Sequence, residues 1–120
     1  MIGAFVLAAM LATPQLGFVQ AKALADKNEA MLDPNTSSQL LEAQGKTLGA
    51  ALAVCVRPGV DLSKFTVVLS LNADGSTAAS WLQGTTPLAK CMQNKLADIG
   101  LAGHWSTPFY TSFELSLNEP

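Results

Sequence analysis

The chain has 120 residues, 49% of them hydrophobic, which is enough for one domain with a modest core. Seven Lys and Arg stand against nine Asp and Glu, for a formal net charge of -2 at pH 7, and no three basic residues are consecutive. That balance argues against nucleic acid as a partner, because its binding leans on clustered Lys and Arg to neutralise phosphates. It argues equally against attraction to anionic lipid headgroups.

At the N-terminus, Ile2 to Ala12 is an uncharged apolar run, about half the roughly 20 residues that a membrane-crossing helix needs. Thr13-Pro14 interrupts it, and the small-x-small tripeptide Ala21-Lys22-Ala23 follows. The pattern predicts an export signal over residues 1–23, cleaved after Ala23, which leaves no stable membrane anchor and a periplasmic or secreted protein. The run lacks a preceding Lys or Arg, so either the α-amino group alone would supply the positive charge or the start codon lies upstream of Met1. Leu24 to Asn35 is polar and closes on the turn signal Asp33-Pro34-Asn35; residues 24–37 are expected to be a linker with one helical turn or two.

Thr36, Ser37 and Ser38 offer N-caps for a first helix, along which Leu41, Leu48, Leu52 and Cys55 recur at helical spacing until Arg57-Pro58-Gly59. Gly45 and Gly49 on that helix suggest close packing against its backbone. From Phe65 the period becomes two: Phe65, Val67, Leu69 and Leu71 face one way, Thr66, Val68, Ser70 and Asn72 the other. The turn Asn72-Ala73-Asp74-Gly75, with Gly75 open to positive φ, then leads into a second strand over Ser76 to Gln83.

Thr86 as N-cap and Pro87 at the first helical position start another helix, with an apolar stripe of Leu88, Cys91, Met92, Leu96 and Ile99 ending at Gly100. A last strand, Phe109 to Leu117, alternates Phe109, Thr111, Phe113, Leu115 and Leu117 with a wet face of Tyr110, Ser112, Glu114 and Ser116. The expected fold is α+β, with two helices on one face of a three-stranded antiparallel sheet in the strand order second, first, third.

Cys55 and Cys91 are the chain's two cysteines. In an exported chain they are most simply one disulfide, worth roughly 4 kcal/mol for a loop of this length. In a reducing compartment they would be two core thiols. A metal site is disfavoured, since one His and two distant Cys make no ligand cluster, and no metal or other cofactor is expected.

Cys55, the run Phe65 to Gly75, Pro87-Leu-Ala-Lys-Cys91 and the closing strand together resemble the TonB/TolA C-terminal domain, in the variant with a cysteine in each helix. The resemblance covers residues 38–118. It implies a non-enzymatic envelope domain that binds a protein or peptide by adding a strand to a sheet edge or by docking against the sheet. The chain departs from that family in having no Pro-rich or long Ala/Lys-rich stalk and no Tyr-Pro pair ahead of the first helix, so energy transduction is not carried over.

The edge expected to bind is the third strand, through Phe109, Tyr110, Ser112, Glu114 and Ser116. It contains no Pro and no Lys, and a free edge of this kind also permits a homodimer. Two other classes compete. A small-ligand carrier or inhibitor would use Trp81, Tyr110 and the His104-Trp105 loop, and would need an enclosed cavity of about 300 Å³ near them. A small hydrolase would use His104, but no Gly-x-Ser-x-Gly elbow or paired carboxylates accompany it, and Asp74 reads as turn chemistry.

Overall fold

The computed structural model of the chain describes residues 16–117. The apolar run Ile2 to Ala12 lies outside them. Six elements follow in order: α1 (Phe18–Ala30), α2 (Pro34–Cys55), β1 (Phe65–Leu71), β2 (Thr77–Gln83), α3 (Pro87–Ile99) and β3 (Phe109–Leu115). The sheet is antiparallel in the order β2-β1-β3, as the alternation and connections predict. No described helix is long and apolar enough to cross a membrane.

On one face of the sheet, Phe65, Val67, Leu69 and Leu71 of β1 meet α2 and α3 in the main core, with Phe109, Phe113 and Leu115 of β3 beside them. The α2 contribution differs from the expected stripe. Leu40, Ala43, Thr47, Ala51 and Cys55 are its buried residues, and Leu48 and Leu52 pack partly buried beside them, while Leu41 is 66% exposed because the inward face is centred on the Leu40-Ala43-Thr47-Ala51 stripe. The cap is Asp33, whose carboxylate accepts from Thr36 N–H at 2.9 Å, with Pro34 in the first turn; Thr36, Ser37 and Ser38 lie inside the helix. Hydrogen bonding to the Thr36 side chain, and then to its backbone N–H, holds the Asp33 carboxyl below its usual value of 3.8. Nothing lies within 4 Å of a Cβ built on Gly45 or Gly49, so no element packs against them.

The start of α3 is as expected, Thr86 Oγ1 accepting from Ala89 N–H at 3.0 Å. Its Cys91 is half-buried and forms a disulfide with Cys55, the Cα atoms 5.7 Å apart, which ties α3 to the end of α2. Met92 is fully buried, whereas Ile99 at the end of the expected stripe is 48% exposed. Trp105 closes the end of the core, stacked on Phe109 with ring centroids 5.3 Å apart, its indole N–H donating to Leu101 O at 3.0 Å.

The largest departure is α1. Residues 24–37 are not a linker: α1 runs through Ala30, α2 starts at Pro34, and the boundary expected after Ala23 falls inside α1. This helix covers the sheet face opposite α2 and α3. Ala21 and Ala25, both fully buried, pack on Val68, with Phe18, Trp81 and Tyr110 around them. Both faces of β1 are therefore dry, and the side of β3 expected to be wet is partly sheltered.

Candidate functional site: the two sheet edges

The outer sides of β3 and β2 are the places where another strand would pair, and the structure treats them differently. Along β3, Tyr110 N–H donates to Asn28 Oδ1 at 2.8 Å and Ser112 N–H to Glu29 Oε2 at 3.0 Å. Glu29 also accepts from the Thr111 hydroxyl. Gln44 Nε2 donates to Thr111 Oγ1 at 2.8 Å and to Ser112 O at 3.3 Å. Side chains of α1 and α2 thus occupy main-chain groups that a partner strand would need.

Further along, Lys22 bridges α1 to the same strand. Its ammonium lies 2.5 Å from Asp26 and 2.9 Å from Glu114. Hydrogen bonds that the ammonium donates to Asp26 and then to Glu114 hold the Lys22 pKa above its usual 10.5.

Of the residues expected to bind on β3, Phe109 belongs to the core, Tyr110 and Ser112 are half-buried with their amides taken, and Glu114 is exposed but paired with Lys22. Ser116 is exposed and lies past the strand's end, since β3 stops at Leu115. The β3 edge is therefore not free. In an antiparallel strand each residue points its N–H and C=O to the same side, and the side alternates.

This alternation fixes what β2 presents. Because Tyr110 and Ser112 point away from β1, their partners Ser70 and Val68 point toward β2, where they meet Ala79 and Trp81. Asn72 N–H donating to Ser76 O at 2.8 Å keeps the same alternation. Ser80 and Leu82 therefore direct their main-chain groups outward, and no described element pairs with them.

Thr77-Ala-Ala-Ser-Trp-Leu-Gln83 contains no charge and no Pro. Its side chains are held from behind: Gln93 of α3 donates to Ser80 Oγ at 3.0 Å, and Leu82 packs against the main core. On the α1 face, Trp81 lies 5.8 Å from Tyr110 between ring centroids, and its indole N–H donates to Leu16 O at 2.8 Å. A register shift between Ser70 and Leu71 leaves a bulge at Ala78.

The other candidates are less organised. Trp81 and Tyr110 pack on each other under α1 and line no described cavity, and the cleft at Trp105, shared with Gln39, Glu42 and Lys46, has a volume of about 190 Å³. A cleft of about 300 Å³ lies between the end of α1 and the segment after Trp105, lined by Asn28, Met31, Ser106, Thr107 and Pro108, but it is open rather than enclosed and none of Trp81, Tyr110, His104 or Trp105 lines it. A larger open groove of about 430 Å³ lies at the other end of the sheet, lined by Lys64, Thr66, Gln83 and Glu114. His104 is exposed, and among the described residues no hydrogen bond joins its ring to a Ser or an acid. Asp74 accepts from the Ser76 hydroxyl at 2.7 Å and N–H at 3.0 Å, which lowers its carboxyl below 3.8 and ties it to the hairpin turn.

Asn28, Glu29 and Gln44 are the site residues that the sequence reading did not single out. The available signal was the run Val67-Val68-Leu69: consecutive apolar residues mean that both faces of the strand are covered, hence a third covering element. Comparison with protein-family models, with curated proteins and with solved structures finds no match.

Proposed function

We propose that this chain is an exported, non-enzymatic protein-interaction domain of the cell envelope, and that its partner adds a strand to the outer edge of β2. The observation carrying the proposal is the contrast between the two edges. Asn28 and Glu29 cap β3, while Ser80 and Leu82 present main-chain groups with no partner among the described residues. An uncharged strand without Pro or Lys is a template for an extended chain, which gains main-chain hydrogen bonds by pairing and side-chain selectivity from alternate positions. The disulfide supports the extracytoplasmic half of the proposal, since such bonds persist in oxidising compartments. The resemblance to the TonB/TolA C-terminal domain is in keeping with it, with the binding edge moved from β3 to β2.

The test uses the direction of one N–H. Ser80 points outward, so Ser80→Pro removes a donor that β1 does not use, and Pro is tolerated in an edge strand at such a position. Envelope proteins that bind the immobilised wild-type domain and Ser80→Ala should be lost by at least about tenfold on Ser80→Pro, at unchanged circular dichroism. Equal retention by the Pro and Ala variants would rule out strand addition at β2.

A further inference from the structure

Resting on the same edge, we propose that its occupant is a second copy of this chain: β2 pairs antiparallel with β2 of another protomer about a two-fold axis at Ser80. Three observations lead there. First, the strand carries no charge, so symmetric pairing sets no like charges opposite one another, and a charged peptide would find nothing on the strand to recognise.

Second, its side chains are self-complementary about Ser80. The two residues before it are Ala78 and Ala79, and the two after it are Trp81 and Leu82. Rotation about Ser80 sets Trp81 beside the exposed Ala79 of the other copy on the α1 face. It sets Leu82 beside Ala78 at the bulge, so large meets small twice, as an isologous interface requires. The outward main-chain groups of the two Ser80 residues then pair with each other.

Third, the assembly closes. A chain with two open edges would extend into an unlimited sheet, but here β3 is capped by Asn28 and Glu29. Pairing through β2 gives a six-stranded sheet whose outer strands are both β3 and both covered by α1. The cap on β3 thus acquires a role, since it stops growth at two copies. Strand pairing alone covers less area than a standard interface, so the dimer is concentration-dependent.

Sedimentation velocity of the oxidised protein over a concentration series, combined with amide exchange, tests this. Wild type and Ser80→Ala should dimerise, with the Ser80 and Leu82 amides slowing as concentration rises. Ser80→Pro should weaken the dimer by at least about tenfold. Ala79→Glu, at an exposed side chain whose main-chain bonds to β1 are untouched, should do the same by placing a charge beside the second copy's Trp81, and it covers the case in which the Pro variant misfolds.

A wild type that stays monomeric throughout overturns the self-pairing. If Ser80→Pro still abolishes capture of envelope proteins in that case, strand addition at β2 survives without it. A dimer indifferent to Ser80→Pro and Ala79→Glu, with the β2 amides unprotected, also overturns the proposal, because the copies then meet elsewhere. Monomers whose capture is insensitive to Ser80→Pro would remove both readings together.

Discussion

Gly75 illustrates how much a single residue carries. Its φ is +91°, which its place in Asn72-Ala73-Asp74-Gly75 makes legible, since a hairpin turn of this composition calls for a residue without a Cβ. What was not legible is its neighbour. A Cβ at Gly75 would lie 1.9 Å from Leu101 O, and one at Gly100 would lie 2.4 Å from Gly75 O, because the hairpin turn is pressed against the loop that follows α3. Leu101 N–H donates to Gly75 O at 2.9 Å and Trp105 N–H to Ala73 O at 3.0 Å, so the contact is main chain to main chain and has no side-chain signature. Gly75→Ala therefore meets both an unfavourable φ and backbone that has little room to move. It should cost about 2–4 kcal/mol in urea denaturation. A loss under about 0.5 kcal/mol, the size of an ordinary surface change, would mean that the turn and loop separate readily.

Among the elements, those with large apolar residues at regular spacing were readable. β1 announced itself by alternation, and α3 by Thr86-Pro87 and its stripe. α1 was not readable, because its buried residues are Ala21 and Ala25, too small to stand out from a polar sequence. Small residues are what the position needs, since they let the helix axis come close enough for Asn28 and Glu29 to reach β3. Glu29 serves two donors, Ser112 N–H and the Thr111 hydroxyl. Glu29→Ala should leave both without that acceptor, destabilising the fold by about 1–3 kcal/mol and speeding amide exchange at Ser112 selectively, while Glu29→Gln, which keeps an acceptor oxygen, should lie between. Unchanged exchange at Ser112 in Glu29→Ala would show that the β3 edge is protected by something other than this carboxylate.

At the scale of the whole molecule, the sheet separates two unequal cores. The larger holds α2, α3 and the disulfide; the smaller is α1 on Val68, Trp81 and Tyr110. The smaller one decides how Ala21-Lys22-Ala23 is read. In the sequence the tripeptide looks like a cleavage site, but in the fold Ala21 is fully buried and Lys22 joins α1 to Glu114. Cleavage after Ala23 would also remove Phe18 and the Leu16 carbonyl that accepts from the Trp81 indole. As part of the export proposal, we therefore expect the envelope form to retain α1 whole, with an intact mass placing its first residue upstream of Gly17. A recombinant chain beginning at Leu24 should be less stable than one beginning at Leu16 by about 1–3 kcal/mol, with Trp81 emission shifted to the red as its ring loses cover. A chain recovered from the envelope that begins at Leu24, together with equal stability of the two recombinant forms, would show that the first half of α1 is dispensable and that the tripeptide serves the peptidase.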